Sequence, residues 1–302
     1  MQYQREKLCT KKKKRIELWF KIYDMKFTKM QGIGNDYVYI YGAGDTIQDI
    51  PALARKVSDR HFGIGSDGLI LIDPSDKYDF TMRMYNADGS MSPMCGNGSR
   101  CVGKYVYDKG HTQKTEIQLE TGAGIKILTL YPEKGKVKTV KVNMGIPQLA
   151  PADIPVNIPG AQVVDVPLGV NDKEYRITCV SMGNPHAILF VEDTEHIDVE
   201  GIGKLIENHP LFPKRTNVEF IQVLSPKELK MRVWERGTGE TLACGTGACA
   251  SLVASVLNGK CERHATLHLL GGDLQIEWAT DNHVYMTGGA ETVFEGEWDK
   301  CL

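Results

Sequence analysis

Short runs of β-branched and aromatic residues, separated by glycine and proline, recur along the chain from residue 25 onwards. Such runs between turn-forming residues are typical of β-strands. In the first half of the chain the predicted strands are 37–41, 69–72, 80–85, 116–120, 125–130 and 137–142. The pattern therefore predicts a protein built mainly of short strands.

Two segments change to helical spacing, one after Cys95 and one after Cys244, because their apolar residues lie three or four positions apart. These residues are Cys101, Val102, Tyr105 and Val106 in the first segment and Cys249, Leu252, Val253 and Val256 in the second. Gly110 and Gly259, each 15 residues beyond its cysteine, are typical C-terminal stops. One helix is predicted after each cysteine.

Both segments belong to an internal repeat. The tetrapeptides Cys95-Gly96-Asn97-Gly98 and Cys244-Gly245-Thr246-Gly247 are 149 positions apart. The same offset relates Gly34-Asn35 to Gly183-Asn184, Arg83-Met84-Tyr85-Asn86 to Arg232-Val233-Trp234-Glu235, and Gly110 to Gly259. One ungapped offset over roughly 75 residues indicates a duplicated domain. We therefore predict an α+β fold of two pseudo-symmetric domains, 25–143 and 144–287, each a barrel-like sheet around a central helix, with the active site in the cleft between them.

Composition agrees with two soluble domains. The chain has 302 residues, of which 42% are apolar and 25% charged, which is ordinary for a globular protein and not for a disordered or membrane protein. The formal net charge of −2 provides no overall attraction to nucleic acid or to anionic lipid. Small-molecule chemistry is the better expectation.

Residues 1–24 differ from the rest, because eight basic side chains there face only three acidic ones. The run Lys11 to Arg15 could form a nucleic-acid arm, but a solvated, disordered extension is the simpler interpretation. No apolar run has the length of a signal-peptide core or of a membrane span, so we expect a cytoplasmic protein with neither nucleic acid nor membrane as partner.

The chain has eight cysteines and no CxxC pair. They are Cys9, Cys95, Cys101, Cys179, Cys244, Cys249, Cys261 and Cys301. Spacings of six and five residues within the two clusters suit neither a zinc site nor a thioredoxin-like redox motif. We expect reduced thiols and no metal.

A cysteine followed by Gly-x-Gly at a helix start lies where unpaired backbone N–H groups converge and where the helix dipole favours negative charge. A thiolate is stabilised there, and a substrate carboxylate can bind there as well. One such cysteine would more simply be a buried packing residue. Two at matched positions of a repeat favour a functional role.

If the two domains face each other, Cys95 and Cys244 point into one cleft from opposite sides. One sulfur, as thiolate, would remove a proton from carbon, while the other, as thiol, would protonate the opposite face and invert the centre. Backbone donors of both helix ends would hold the adjacent carboxylate and stabilise the developing carbanion. These donors are those of Gly96, Asn97, Gly245 and Thr246. Neither a metal nor an organic cofactor is required.

Seven motifs resemble the diaminopimelate epimerases. They are KMQGIGND at 29–36, NADGS at 86–90, MCGNG at 94–98, MGNPH at 182–186, RTN at 215–217, ERGTGET at 235–241 and ACGTG at 243–247. The resemblance runs from Met25 nearly to the C-terminus. It implies cofactor-independent, PLP-independent interconversion of LL- and meso-diaminopimelate, on the route to lysine and peptidoglycan. It also implies a homodimer and a last strand, about 288–302, that returns to the first domain.

By position, the resemblance implies that Cys95 and Cys244 are the acid/base pair and that His186 and Glu235 tune them. The positions that match carboxylate-holding and substrate-binding residues are Asn35, Asn86, Gly96, Asn97, Asn184, Asn217, Glu235, Arg236, Gly245 and Thr246. One position departs from the family pattern: Gly68 stands where many members have glutamine. Any side-chain contact from that position is lost.

Other interpretations of these residues stay open at this point. The two cysteine motifs alone would also suit a proline or hydroxyproline racemase or a phenazine-pathway isomerase. Asn35 and Asn184 could be turn residues, since each follows a glycine. Glu235 and Arg236 could form a surface ion pair. A racemase for a monocarboxylic amino acid would not need a charged clamp for the distal end of its substrate, so the Glu235-Arg236 pair favours diaminopimelate.

Overall fold

The computed structural model describes residues 25–44 and 46–298. The predicted basic extension 1–24 and the end of the predicted returning strand, 299–302, lie outside the described residues. The strands are β1 (Met25–Gly32), β2 (Asn35–Tyr41), β3 (Gly68–Pro74), β4 (Phe80–Asn86), β5 (Met91–Ser92), β6 (Glu116–Thr121), β7 (Gly124–Glu133), β8 (Lys136–Gly145), β9 (Val166–Val170), β10 (Lys173–Ser181), β11 (Pro185–Phe190), β12 (Asn217–Ser225), β13 (Glu228–Glu235), β14 (Gly239–Glu240), β15 (His264–Leu269), β16 (Gly272–Trp278), β17 (Val284–Gly289) and β18 (Glu291–Trp298). The helices are α1 (Ile50–Ser58), α2 (Gly96–Asp108), α3 (Val199–Glu207) and α4 (Gly245–Leu257).

Strand pairing repeats in the two halves. In the first half it runs β18-β1-β2-β3-β4-β6-β7-β8, and in the second β9-β10-β11-β12-β13-β15-β16-β17. The parallel pairs occupy matching places, since β2–β3 and β4–β6 correspond to β11–β12 and β13–β15. Strands β8 and β17 pair with each other and join the two halves. The predicted α+β fold with two pseudo-symmetric halves is confirmed.

Each half wraps its sheet around one predicted helix. Helix α2 packs against β1, β2, β7 and β8, and α4 against β10, β11, β12 and β16. The two helices have 13 residues each and begin 149 positions apart. Their inward side chains enter one hydrophobic cluster that spans both halves. The C-terminal strand β18 pairs antiparallel with β1, from Met25 opposite Trp298. The domain boundary at 143–144 stays a prediction.

Helices α1 and α3 were not predicted from the sequence. Each has nine residues, and they too begin 149 positions apart. Both start at an aspartate whose carboxylate accepts a backbone N–H of the first turn, Asp49 from Ala52 and Asp198 from Gly201. They cover the outer faces of the two sheets, where each packs into its own smaller hydrophobic cluster.

The first turns of α2 and α4 lie against each other. A Cβ built on Gly245 would lie 3.4 Å from Asn97 Oδ1 and 3.1 Å from Met286 Sδ, and one built on Gly96 would lie 2.6 Å from Met286 Cε. A Cβ at Gly96 would require the end of the buried Met286 side chain to move. The glycine after each cysteine therefore eases the close approach of the two helix N-termini.

Gly68, the position that departs from the family pattern, is tightly enclosed. A Cβ there would lie 2.1 Å from the carbonyl oxygen of Tyr85 and 2.9 Å from the Tyr37 ring. We expect Gly68→Ala to destabilise the protein by about 1–3 kcal/mol, because the backbone of β4 would have to move. Gly169→Ala is the matched control, since nothing lies within 4 Å of a Cβ at that strand position. Urea unfolding measures both variants, and equal unfolding free energies would contradict the packing at Gly68.

Candidate active site

A cleft of about 1270 Å³ lies between the two halves. The predicted site residues that line it are Asn35, Asn86, Cys95, Gly96, Asn97, Asn184, Glu235, Arg236, Cys244, Gly245 and Thr246. The other two, His186 and Asn217, are buried behind its wall. The cleft therefore brings together most of the side chains that sequence reasoning selected, from both copies of the repeat.

Both cleft cysteines are the N-caps of the central helices. Cys95 Sγ accepts the backbone N–H of Gly98 at 3.4 Å, and Cys244 Sγ accepts that of Gly247 at 3.4 Å. Each cysteine has extended backbone dihedrals, as an N-cap requires. Each sulfur therefore lies at the positive end of a helix dipole, where negative charge is stabilised.

Cys95 interacts with charged groups of both signs. Its thiol donates to Asn35 Oδ1 at 3.2 Å, and Asn35 in turn donates to Asp67 Oδ2 at 2.8 Å. Burial raises the pKa of the Cys95 thiol and so does the Glu235 carboxylate, while the N–H groups of the first helical turn and the cation of Arg100 act in the opposite direction. Asn35 is thus a hydrogen-bonding partner of the sulfur and not only a turn residue.

Arg100 is a functional candidate that the sequence analysis missed. Its side chain is fully buried on α2, donates to Asn97 Oδ1 at 2.9 Å and to the Gly289 carbonyl at 3.0 Å, and forms no ion pair within the described residues. Burial lowers the pKa of its guanidinium. A buried cation without a carboxylate partner favours an anion nearby, and among the cysteines with which Arg100 interacts, Cys95 is the one that lines the cleft. The available sequence signal was a single arginine in the first turns of a helix predicted to lie at the centre of its domain.

Cys244 lies in an acidic environment. Burial raises its pKa well above the ordinary value, and the carboxylates of Glu235 and Glu219 raise it further, while Thr246 and the Gly247 N–H act in the opposite direction. Burial also raises the pKa of Glu235, whose Oε1 accepts the hydroxyl of Thr241 at 2.5 Å. The two cysteines therefore have different charged neighbours, although the same backbone geometry at a helix N-terminus positions both.

Behind Cys244 the polar side chains form a continuous chain. His186 Nδ1 lies 2.7 Å from Glu219 Oε1, and His186 Nε2 lies 3.1 Å from Asn184 Oδ1. Asn184 donates to Thr246 Oγ1 at 3.3 Å, and that hydroxyl lies 3.6 Å from Cys244 Sγ. Sequence reasoning missed Glu219, for which the available signal was a single carboxylate within the apolar run of β12.

Asn217 and Arg236 form a second polar group at the cleft. Asn217 donates to the Pro185 carbonyl at 2.8 Å and accepts the backbone N–H of Arg236 at 2.9 Å, so it fixes the segment that carries Arg236. The Arg236 guanidinium donates to the Lys214 carbonyl at 2.9 Å. Within the described residues it forms no ion pair with Glu235, and a surface ion pair between these neighbours is therefore not what the structure shows.

The described part of the chain contains no cluster of three or more His, Cys, Asp or Glu side chains that could hold a metal ion. Its six cysteines are all free thiols. Within the same residues, no helix combines the length and the apolar character needed to cross a membrane.

A sequence model of the family described as diaminopimelate epimerase matches residues 27–150 and 178–293. The chain belongs to this family. It is 59% identical to the diaminopimelate epimerase of Acetivibrio thermocellus over 276 residues, 91% of this chain and 99% of that one. It is 58% identical to the diaminopimelate epimerase of Methanococcus maripaludis strain C5, again over 91% of this chain and all of the relative. The family resemblance predicted from the motifs is confirmed.

Solved structures with a similar fold include a phenazine biosynthesis protein of the PhzF family from Bacillus anthracis. It matches with a TM-score of 0.67 at 16% identity, over 91% of this chain and 98% of that one. A hydroxyproline epimerase from Agrobacterium vitis matches with a TM-score of 0.63 at 14% identity, over 91% and 90%. At these identities the likeness concerns the fold alone.

Proposed function

We propose that this protein interconverts LL- and meso-2,6-diaminopimelate without a cofactor, using Cys95 and Cys244 as its two proton-transfer groups. The observation that carries the proposal is that both sulfurs cap facing helices and line one cleft. Membership of the diaminopimelate epimerase family supports the choice of substrate. The proposed biological role is the supply of meso-diaminopimelate for lysine and peptidoglycan synthesis.

In the proposed reaction one cysteine starts as thiolate and the other as thiol. The thiolate takes the α-proton, the electron pair of the C–H bond passes into the adjacent carboxylate, and the thiol then delivers its proton to the opposite face. Each turnover therefore exchanges the protonation states of the two sulfurs. The backbone donors of Gly96, Asn97, Gly245 and Thr246 would stabilise the charge on the carboxylate, which is greatest when the carbanion has formed.

A raised thiol pKa has two opposite consequences, because it lowers the fraction of thiolate at neutral pH and makes the thiolate that does form a stronger base. A carbon acid next to a carboxylate is a very weak acid, and a thiolate whose conjugate acid has a raised pKa is a stronger base. Burial is the main cause of the raised pKa at both Cys95 and Cys244. Closure of the cleft over a substrate would exclude more water and strengthen the same effect.

The distal end of the substrate carries a second ammonium and a second carboxylate. We infer that Arg236 binds this carboxylate, since a guanidinium pairs with a carboxylate in two-point geometry. Asn86 and Glu235, which also line the cleft, supply acceptors for the ammonium. Asn217 contributes by holding the backbone of Arg236.

Replacing either cysteine tests the two-base mechanism. We expect Cys95→Ala and Cys244→Ala each to lower the rate of epimerisation of LL-diaminopimelate by at least about 10²-fold, the typical contribution of one positioned acid or base. Circular dichroism should show an unchanged fold. Cys261→Ala is the control, because this thiol lies away from the cleft. Near-normal turnover by either cleft variant would contradict the mechanism.

A comparison of substrates tests the distal contacts and the alternative function. Lysine lacks the distal carboxylate, and unpaired buried polar groups can cost about 10⁴-fold in kcat/KM, so we expect lysine to be a very poor substrate. Arg236→Lys should lose most activity on diaminopimelate, because an ammonium cannot make the planar two-point contact. If the wild-type protein preferred proline, the racemase alternative would be the better assignment. If its rate on lysine were comparable to its rate on diaminopimelate, the proposed contacts with the distal end of the substrate would be contradicted.

We also propose that the protein is a cytoplasmic homodimer. The cytoplasm keeps cysteines reduced, as the proposed chemistry needs. Val293 and Phe294 on the edge strand β18 are 56% and 45% exposed, and within the described residues β18 pairs with β1 alone. A second copy would cover this apolar edge. Sedimentation velocity should give one species of twice the 33.6 kDa chain mass, and a monomer at micromolar concentration would contradict it.

A further inference from the structure

The internal repeat pairs each residue at the Cys95 end of the cleft with one at the Cys244 end. At the offset of 149, Asn35 corresponds to Asn184, Tyr37 to His186, Ile70 to Glu219, Asn97 to Thr246 and Arg100 to Cys249. The strand registers agree, since Tyr37 lies opposite Gly68 as His186 lies opposite Asn217, in parallel pairs. The duplication therefore supplies an internal comparison between two copies of one site.

The clearest difference lies beside the third residue of each helix. A Cβ on Gly98 would lie 2.7 Å from Ile70 Cδ1, and a Cβ on Gly247 would lie 2.6 Å from Glu219 Oε1. The same place thus holds an isoleucine at one end and a fully buried carboxylate at the other. Packing alone needs no carboxylate there, because an aliphatic side chain fills the equivalent space in the first half.

Glu219 and His186 form a fully buried pair at the end of the hydrogen-bond chain behind Cys244. Both side chains are 0% exposed, and Glu219 Oε2 has no hydrogen-bond partner among the described residues. A net negative charge here, with one oxygen unpaired, would be costly. Glu219 Oε1 lies 2.7 Å from His186 Nδ1 and holds the ring with Nε2 facing Asn184. Because Asn184 Oδ1 can only accept, its contact with His186 requires a hydrogen on Nε2.

That hydrogen sets the donor-to-acceptor direction of every hydrogen bond from His186 to Cys244. His186 Nε2 donates to Asn184 Oδ1, so Asn184 presents its amide N–H to Thr246 Oγ1. Because the Thr246 oxygen is then an acceptor from Asn184, its own hydrogen is directed towards Cys244 Sγ, 3.6 Å away. A hydroxyl that donates to a sulfur stabilises the thiolate over the thiol.

We propose that Glu219 is a positioning residue for Cys244: through His186, Asn184 and Thr246 it directs a hydrogen-bond donor at the sulfur and favours the thiolate at this end of the cleft. Its catalytic meaning rests on the proposed function, in which Cys244 must serve as a base in one direction. The hydrogen-bond chain opposes the charge of Glu235, which faces Cys244 from β13, and also the direct effect of the Glu219 carboxylate, since both raise the pKa of Cys244. At the other end, the cation of Arg100 favours a thiolate at Cys95 through its charge, without a hydrogen-bond chain of this kind.

The groups that face this chain come from four strands and from α4. They are Cys179 on β10, His186 on β11, Glu219 on β12, Glu235 on β13, and Thr246 and Cys244 at the start of α4. Burial keeps Cys179 a thiol, since its pKa is raised far above the ordinary value. Among the described residues, Glu235 is the other carboxylate that raises the pKa of Cys244, so every variant in the test keeps it unchanged.

The test is the rate at which iodoacetamide alkylates each cysteine as a function of pH, read by peptide mass spectrometry on the whole protein without substrate. In the wild type, Cys95 should react at lower pH than Cys244. Glu219→Ile, which copies the residue of the other half, should move the Cys244 profile up by about one pH unit, so that alkylation below the transition slows about tenfold. The Cys95 profile should not move.

Conservative variants distinguish an effect transmitted through the hydrogen-bond chain from a direct effect of the Glu219 charge on Cys244. Glu219→Gln keeps a donor for His186 Nδ1, and Thr246→Ser keeps the hydroxyl, so both should retain the wild-type Cys244 profile. Thr246→Val should reproduce the shift of Glu219→Ile, which also covers the case that the latter variant does not fold. Glu207→Gln is the matched control, because this buried carboxylate of the same half holds Arg215 and Trp234 outside the chain.

Two outcomes would overturn the proposal. If Glu219 acted only as a negative charge, Glu219→Ile and Glu219→Gln would both move the Cys244 profile to lower pH. If the chain had no effect, neither Glu219→Ile nor Thr246→Val would move it. The alkylation assay does not require turnover. A protein that failed to epimerise diaminopimelate would contradict the proposed function, but its alkylation profiles would still test the role of Glu219.

Discussion

The structure depends on the meeting of two helix N-termini. The positive ends of two helix dipoles repel each other, and the unpaired N–H groups of both first turns point into the same space. Gly96 and Gly245 allow the approach, with Met286 packed beneath them. An anion between the helix ends would relieve the repulsion, and the proposed reaction places two there: a cysteine thiolate and the carboxylate of the substrate.

The sequence predicted those parts of the fold that depend on local pattern and on repetition. Strands β2, β3, β4, β6, β7 and β8 followed from short runs of β-branched and aromatic residues, and α2 and α4 followed from helical spacing after each cysteine. Helices α1 and α3 were missed because nine residues contain too few turns for a periodic pattern to stand out. Their first residues are 149 positions apart, so the repeat could have indicated one from the other but not either by itself.

The site was predictable where a motif was repeated and unpredictable where the two copies diverged. Cys95, Cys244, Asn35 and Asn184 occupy matched positions. Glu219 and Arg100 have no counterpart of the same chemistry in the other half, and their effects depend on burial and on partners distant in sequence. Asn217 shows a third case, because it was selected as a substrate-binding residue but is buried behind the cleft wall, where it accepts the backbone N–H of Arg236.

Divergence after duplication has a chemical reason in the proposed reaction. A two-base site needs symmetric backbone, because both sulfurs approach one carbon from opposite faces. The rest of the substrate is not symmetric about that carbon, since a polar chain leaves on one side. Charged groups to bind that chain would perturb the nearer sulfur, and Glu235 raises the pKa of Cys244 in this way. Glu235 raises the pKa of Cys95 as well, where Arg100 acts in the opposite direction. We propose that the hydrogen-bond chain that ends at Thr246 opposes the effect of Glu235 at Cys244.

The most direct test of the account is the fate of the α-hydrogen in D₂O during the first few per cent of reaction. With two sulfurs on opposite faces, the sulfur that protonates the carbon carries a solvent deuteron. Nuclear magnetic resonance should therefore find deuterium in the newly formed meso-diaminopimelate and almost none in the remaining LL-diaminopimelate. Equal deuterium in recovered substrate and product would mean that a single group serves both faces, and would contradict a cleft built around two opposed cysteines.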